Sequence, residues 1–285
     1  MTPTATTGRR RKRLQVAVEG VRRSHPPARR RRGDPDLLAL LADPYETVEE
    51  THERLGALLE AFEARADRRA VFLSVYTRMT GAVGTRIREG GFADPEWVSA
   101  YLVAFANLYR EAVYDYEAGT LDALADPWRL AFEAGERGDA LVVQDAALGV
   151  NAHINYDLAL ALERVGVGPN RPQRYADHHA VTDVIREILD ASQVALAAHD
   201  APGLAALDAS MGRFDEWLWV FTIDECRDSA WRTAVALHSP FRPRRRVARW
   251  VNEITSTGAA HLIRSSRVSD RLHDALYELE RSGET

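Results

Sequence analysis

Two histidine–aspartate pairs in this sequence have the spacing at which side chains meet on one face of a helix. His153 and Asp157 form the first pair, and His179 and Asp183 repeat the same H-x-x-x-D spacing. Residues four apart on a helix have Cβ atoms about 6 Å apart, so an imidazole and a carboxylate placed in this way can share one cation. The spacing therefore favours metal binding or acid–base chemistry carried by helices.

The second pair belongs to a longer polar run in which two residues are expected to point inward. Asp177 and His178 lead towards the apolar side of their predicted helix, whereas His179 and Asp183 continue along its polar face. Asp177 and His178 would then complete a shell of nitrogen and oxygen ligands, started by the first pair, around a divalent transition metal such as zinc, manganese or iron. His179 or Asp183 would serve as the catalytic acid or base.

The first pair lies in a stretch, residues 139–165, that has helical periodicity on two sides. Apolar or small residues recur at steps of three or four along both stripes, and a helix that is apolar on more than one side is buried within its domain. We therefore expect His153, Asp157, Asn151 and Asn155 to lie inside the protein, with the two asparagines supporting the ligands. Gly149, one turn before His153, removes a side chain where a cofactor, a substrate or a neighbouring helix could approach.

A structural role for the same polar residues is the alternative. Buried polar groups cost several kcal/mol unless they are partnered, and in most proteins their partners are other protein groups. The cluster would then stabilise a non-catalytic helical protein or bind a small ligand. Other chemistries lack their motifs, because the sequence contains no G-x-S-x-G elbow and no phosphate-binding glycine loop. Cys226 is a poor nucleophile, since Asp224 and Glu225 disfavour its thiolate.

Composition sets the class of protein. The chain has 285 residues, of which 46% are hydrophobic, and a single cysteine, which fits a cytoplasmic location. No apolar run is long enough to span a bilayer, so no membrane insertion is expected.

Charge is unevenly distributed along the chain. The first 33 residues carry eleven Lys or Arg and one acid, a net charge of +10. The rest of the chain has 26 basic and 41 acidic residues, a net charge of −15. An acidic body disfavours nucleic acid as its partner, and the expected partner is a small-molecule substrate or ligand.

Helical periodicity begins near residue 36 and continues to the end of the chain. Thr47 with Glu50 forms a capping box, and Asp94-Pro95-Glu96 is a strong helix start. Alternating strand patterns are nearly absent. We therefore predict a mobile basic arm over residues 1–35 and a single all-α, multi-helix domain with a buried central helix over residues 36–285. Within this domain, Pro127 and Trp128 are assigned to a looser stretch, Pro172 to a loop and Pro243 to a turn, and Asp177 is expected to cap the next helix.

The residues around the first pair resemble two groups of proteins. The signature N-A-H-I-N-x-D-L, here Asn151 to Leu158, together with Asp177-His178 and Arg227-x-x-x-Trp231, resembles an uncharacterised bacterial and archaeal family, a domain of unknown function, over roughly residues 45–240. This resemblance implies a helical fold. The pattern L-G-x-x-x-H-x-x-x-D-L also resembles, more distantly, the metal-binding helix of the zinc-dependent phospholipase C and single-strand nuclease superfamily.

The more distant resemblance implies that His153 and Asp157 are metal ligands. The chain lacks that superfamily's further histidine shortly after the aspartate, so at most one or two metal ions are implied. Two hypotheses follow from the sequence. The first is a divalent-metal-dependent hydrolase of a phosphate ester or related substrate, in which the ion generates hydroxide. The second is the non-catalytic protein whose polar cluster is structural or binds a small ligand.

Overall fold

The computed structural model describes residues 33–138, 140–168, 170–197 and 223–264, and in this part of the chain the regular structure is helical throughout. Residues 1–32 of the predicted basic arm and the helices predicted beyond residues 203 and 267 lie outside the described residues, and the last residue assigned to the arm, Pro35, is instead the first residue of a helix. Ten α-helices, numbered here α1 to α10, are described, and a π-helical segment separates α6 from α7. Their bounds are α1 Pro35–Leu41, α2 Val48–Glu63, α3 Arg69–Arg88, α4 Pro95–Ala118, α5 Asp126–Arg137, α6 Val142–Val150, the π-helical segment Asn151–Asp157, α7 Leu158–Val165, α8 Arg171–Ala197, α9 Ile223–Leu237 and α10 Arg242–Arg264.

Local capping signals start two of these helices as predicted. The Thr47 hydroxyl accepts the backbone N–H of Glu50 at 3.1 Å, and the Glu50 carboxylate accepts the N–H of Glu46 at 2.8 Å. The Asp94 carboxylate accepts the N–H of Trp97 at 3.1 Å. Each bond satisfies a donor that has no partner within its helix, so short-range sequence sets these helix starts.

Three prolines that the sequence suggested as breakers are instead the second residues of helices. Pro127 lies in α5, Pro172 in α8 and Pro243 in α10. The predicted loose stretch, loop and turn were therefore wrong at these positions. A proline in the first turn costs nothing there, because the backbone N–H that it lacks has no helical partner and its φ suits the helix.

The central helix, α6 to α7, is buried by helices on several sides. It packs against α3, α4, α5, α9 and α10, which confirms the burial predicted from its two apolar stripes. One hydrophobic cluster lies around α6 and includes Phe72, Tyr109 and Trp128, and a second lies around α7 and includes Trp97, Val181 and Trp231. Helix α4 contributes to both clusters, so it links the two halves of the core.

The π-helical segment in the middle of this helix was not predicted. Within it the backbone N–H of Leu158 bonds to the carbonyl of His153, five residues earlier. Side chains of α10 reach the carbonyls of the widened turn: Ser256 donates to Asn155 at 2.9 Å and Asn252 donates to Tyr156 at 2.9 Å. Such insertion of side chains is a known cause of irregular helix geometry, and π-helical turns are frequent at functional sites.

Candidate functional site

His153 lies in an apolar chamber whose walls are five aromatic rings. Helix α3 supplies Phe72 and Tyr76, α4 supplies Phe105 and Tyr109, and α5 supplies Trp128. The Phe105 ring is stacked on the imidazole, with centroids 3.5 Å apart and planes 8° apart, and the other four centroids lie 4.3 to 6.0 Å from that of the imidazole. We call these five rings the aromatic cage. His153 is only 1% exposed, so the predicted inward orientation is confirmed.

One side of the imidazole is held by Asp157 and Trp128. The His153 Nδ1 lies 3.1 Å from the Asp157 Oδ2, and the Trp128 indole N–H donates to the same oxygen at 2.9 Å. Asp157 is itself buried. The chain of Trp128, Asp157 and His153 fixes the plane of the imidazole, as a carboxylate does in many histidine sites.

The other imidazole nitrogen, Nε2, is buried and has no hydrogen-bond partner among the residues that the structure describes. The Tyr109 hydroxyl of the cage is likewise buried and unpartnered. Polar atoms in this state are rare in protein interiors, because each costs about 1–3 kcal/mol when it is left unsatisfied. The cage therefore contains hydrogen-bonding capacity that the described protein does not use.

Burial keeps the His153–Asp157 pair free of net charge. It lowers the pKa of the His153 imidazole well below its usual range and raises the pKa of the Asp157 carboxyl well above its own, and the Trp128 bond only partly offsets the second effect. The unpartnered nitrogen therefore belongs to a neutral imidazole and faces aromatic rings.

A small cavity adjoins the cage. It has a volume of about 20 Å³, which is room for about one water molecule. Phe72, Tyr109 and Trp128 line both the cage and the cavity, and Arg68 and Asp145 lie at the cavity wall. These last two residues form an ion pair at 2.6 Å. The lining of the cavity therefore combines aromatic rings of the cage with charged side chains.

Gly149 serves close helix packing at this place. A Cβ at that position would lie 2.4 Å from the Phe72 Cγ, closer than any real contact. Of the three alternatives left open by the sequence, the approaching group is therefore a neighbouring helix, α3, which brings one ring of the cage against the central helix.

His178 and Asp177 are buried as predicted, but their donor atoms are occupied by other protein groups. His178 Nε2 lies 3.2 Å from the backbone carbonyl of Arg227, and Nδ1 lies 3.2 Å from both the Arg227 guanidinium and the Tyr101 hydroxyl. Arg227 also donates to the Thr182 hydroxyl at 2.8 Å. We call His178, Arg227, Tyr101 and Thr182 the His178 cluster. A guanidinium at the imidazole disfavours a metal cation at the same place, and together with burial it lowers the pKa of His178.

Asp177 does not cap a helix, because α8 begins six residues earlier, at Arg171. Its two carboxylate oxygens instead accept the backbone N–H groups of Ala93 and Asp94, each at 2.8 Å. This corrects the predicted role of Asp177. The residue ties the start of α4 to α8, and both of its oxygens already have donors.

The four predicted metal ligands are not brought together around one point. The two histidines contact different residues of α4: Phe105 stacks on His153, and Tyr101 bonds to His178. In the part of the chain that the structure describes, no three His, Cys, Asp or Glu side chains are arranged to hold a metal ion. The metal site therefore stays a prediction, with only His153 and Asp157 adjacent to each other.

The remaining predicted site residues lie outside the cage. His179 Nε2 contacts the Asp228 carboxylate at 3.1 Å on the surface, and Asp183 is exposed and pairs with Arg186. Asn155 donates to Asn151, and Asn151 donates to the Ser256 carbonyl of α10. The asparagines thus hold the π-helical segment to α10 and make no hydrogen bond to the His153 or Asp157 side chains among the described contacts.

Sequence reasoning missed the aromatic residues that form the cage and also missed Arg227 as a polar partner. The cage rings at positions 72 and 76 and at 105 and 109 are each four residues apart, so each pair lies on one helix face. That spacing could have indicated an aromatic surface on α3 and on α4, although it could not have indicated that both surfaces face His153.

The described helices include none that is long and apolar enough to cross a membrane. No curated protein and no solved structure matches the chain, and the resemblance to the zinc-dependent phospholipase C and nuclease superfamily stays a prediction. A family model, described as a family of unknown function, matches residues 48–266 and includes the whole cage and the His178 cluster. Because the match covers most of the chain, this protein belongs to that family, DUF5995.

Proposed function

We propose that this domain binds a small, largely apolar molecule in the aromatic cage, with His153 as the hydrogen-bonding group that orients it. The observation that carries the proposal is the Nε2 atom of His153, which is buried and unpartnered although Asp157 holds the other nitrogen in place. An apolar pocket with a few fixed polar groups is the usual design of a small-molecule site. The π-helical turn that carries His153 supports the same interpretation.

The chemistry of the cage defines the class of ligand. Five rings offer apolar and aromatic contacts, so a planar ligand is favoured. The Nε2 atom of His153 offers one hydrogen bond, and the Tyr109 hydroxyl both donates and accepts, so the ligand should carry a neutral oxygen or nitrogen at one edge. A charged ligand is disfavoured, because burial already keeps the His153–Asp157 pair free of net charge.

Access to the cage requires movement of α5. The cavity beside the cage holds about one water molecule, which is less than a planar ring needs. Helix α5 supplies Trp128 to the cage, and its first turn has no side-chain cap. Displacement of α5 would break the hydrogen bonds from Trp128 to Asp157 and from Tyr116 to Glu136, and it would widen the cavity at the same time.

Chemical modification of the two buried histidines tests this proposal. Diethyl pyrocarbonate reacts with a neutral imidazole nitrogen, and mass spectrometry gives the rate at each histidine. His153 should react more slowly than the exposed His52 but faster than His178, whose two nitrogens are both bonded. Equal and negligible reaction at His153 and His178 would mean that the cage stays closed and that His153 is structural.

The same experiment with two probes tests the ligand class. Phenol and toluene have nearly the same shape and differ in a hydroxyl group, so phenol should protect His153 and raise the melting temperature more than toluene does. The matched variant is His153→Phe, which retains a ring against Phe105 but has no nitrogen. A single buried hydrogen bond corresponds to about 1 kcal/mol, or roughly a fivefold preference for phenol. Persistence of that preference in His153→Phe would contradict the role given to Nε2.

A divalent transition metal on His153, serving a hydrolase, is the competing proposal. Its support is the same free Nε2 together with the adjacent Asp157. If an ion binds there, zinc or manganese should raise the melting temperature of the wild type and leave His153→Phe unchanged, by mass action on the folded state. We expect instead no difference between the two proteins and less than stoichiometric metal by elemental analysis, and a stoichiometric ion would overturn the ligand proposal in favour of the metal.

A further inference from the structure

Helix α10 has two halves with different environments. The second half is buried against the π-helical segment and α5, and it includes Ser256, Thr257 and His261. The first half is exposed to solvent and carries large apolar side chains. Phe241, just before the helix, is 66% exposed, Val247 58%, Trp250 57% and Val251 43%. Large apolar residues this exposed and this close together mark an interaction surface more often than chance.

Three of the exposed apolar residues form one stripe that points away from the protein. Val247, Trp250 and Val251 are three and four residues apart, so they lie on one face of the helix. Asn252 and Ser256, which bind the π-helical segment, lie on roughly the opposite face. We call Val247, Trp250 and Val251 the α10 stripe.

Arginines border the α10 stripe on both sides. At about 100° per residue, Arg246 lies on one side of it and Arg244 on the other, whereas Arg242 and Arg249 lie further round, towards the buried face. Arg244 and Arg246 are exposed, and neither makes an ion pair with the residues that the structure describes. Arg249 is by contrast paired with Glu163 at 2.8 Å. The border of the stripe therefore carries positive charge that the described protein does not neutralise.

We propose that the α10 stripe docks the protein on an anionic lipid surface. A helix with aromatic and aliphatic residues on one face and arginines beside them lies in the plane of a bilayer, with the apolar face among the acyl chains and the guanidinium groups at the phosphates. Each basic residue near such a surface contributes about 1 kcal/mol of attraction. The stripe spans only the first half of α10, so the docked protein stays on the surface and does not cross it.

Other partners fit this surface less well. Nucleic acid would bind the arginines through its phosphates but would leave Trp250 and Val247 in water. A second copy of the chain in a symmetric contact would add its own Arg244 and Arg246 to the same interface without supplying carboxylates from the stripe, and like charges repel at an interface. A surface with fixed negative charge and an apolar interior satisfies both properties of the stripe.

Sedimentation with lipid vesicles tests the proposal on the full-length chain. Phosphatidylcholine vesicles are compared with vesicles that also contain phosphatidylglycerol. The basic residues near the N-terminus add an electrostatic attraction, but this is the same in every variant, so the variants of α10 isolate the stripe. Trp250→Gln should weaken binding to the anionic vesicles by about tenfold, whereas Trp250→Phe should retain most of it, because the interfacial contact of an aromatic ring is kept.

Two further measurements separate lipid docking from its alternatives. Each of Arg244→Gln and Arg246→Gln should reduce the partition coefficient by about fivefold, the equivalent of about 1 kcal/mol. Brominated lipids should quench a fluorescence component that the wild type has and Trp250→Phe lacks. Equal binding of the wild type and Trp250→Gln to anionic vesicles would overturn the proposal. A dimer of the wild type that Trp250→Gln dissociates would also overturn it, because a second copy of the chain would then cover the stripe. Tight binding to RNA that does not depend on Trp250 would also overturn it.

Discussion

The two buried histidines of this protein, His153 and His178, have the same residue type and nearly the same burial but opposite surroundings. His178 has a partner for each ring nitrogen, including the Arg227 guanidinium. His153 has one nitrogen bonded to Asp157 and the other facing aromatic rings without a partner. Burial of a polar residue therefore does not by itself identify a functional site. What distinguishes the two positions is whether the protein itself uses all of the hydrogen-bonding capacity.

The largest expected effect comes from the His178 cluster. Arg227→Leu removes the donors to the Thr182 hydroxyl and to the carbonyl of His178. The free energy of unfolding should fall by about 3–5 kcal/mol, because several buried acceptors lose their partners at once, and urea denaturation measures this directly. His153→Phe is the comparison at the other histidine, and it should cost less, since only one nitrogen there is bonded. A smaller loss for Arg227→Leu than for His153→Phe would reverse the proposed distinction.

Two aspartates give the next comparison. Asp177→Asn leaves one of two backbone N–H groups, at Ala93 or Asp94, without an acceptor, so it should destabilise the protein by about 2–3 kcal/mol. Asp157→Asn should cost less than about 1 kcal/mol, because the amide oxygen, placed where Oδ2 lies, can accept both from Trp128 and from the Nδ1–H of a neutral His153. Thermal unfolding of both variants provides the measurement. A large loss in Asp157→Asn would show that the carboxylate is charged, as a bound metal ion would require.

Overpacking beside the cage should have an effect of about 2 kcal/mol. Gly149→Ala places a methyl group 2.4 Å from the Phe72 Cγ, and the strain of forcing Phe72 and α3 away destabilises the fold. Gly56→Ala in α2 is the matched control, since no atom lies within 4 Å of its added Cβ. That variant should stabilise the protein by up to about 1 kcal/mol through the helix propensity of alanine. Equal effects of the two substitutions would mean that Phe72 yields without strain.

The smallest expected effect is a pH dependence of stability carried by His178. Its pKa is lowered in the folded state by burial and by Arg227, so below about pH 6.5 the unfolded chain binds a proton that the folded chain does not. Stability is therefore lost as the pH falls from about 6.5 towards the lowered pKa, with a slope of up to about 1.4 kcal/mol per pH unit. The measurement is chemical denaturation at several pH values, and His178→Asn should remove this slope.

The His153–Asp157 pair should contribute two opposed effects to the pH dependence of stability. Burial lowers the pKa of His153, so this residue costs stability as the pH falls below about 6.5. Burial raises the pKa of Asp157, so the folded protein holds the carboxyl proton more tightly and gains stability as the pH falls. His153→Phe removes only the first effect, so its stability should fall less steeply than that of the wild type as the pH is lowered. A steeper loss in His153→Phe would contradict the lowered pKa of His153.

The sequence by itself determined the helical class, several helix starts and the burial of four polar residues. These features follow from short-range rules: side chains three and four residues apart share a face, and a cap such as Thr47 or Asp94 bonds to an N–H two or three residues later. His153, Asp157, Asp177 and His178 were expected inside for this reason, and all four are buried. The same short-range rules wrongly predicted that Pro127, Pro172 and Pro243 interrupt helices. Each of them lies in the first turn of a helix, where proline is tolerated.

Only the tertiary structure decided what those buried residues bind. Arg227 reaches His178 from 49 residues away, and Asp177 binds the N–H groups of a loop more than 80 residues earlier. The aromatic cage joins three helices around His153, and α10 widens the turn that carries it. Periodicity along one helix specifies which face is buried, but the partner on that face depends on how distant helices cross. For this reason the sequence indicated where the polar interior lies, whereas only the fold distinguished the satisfied His178 from the unpartnered nitrogen of His153.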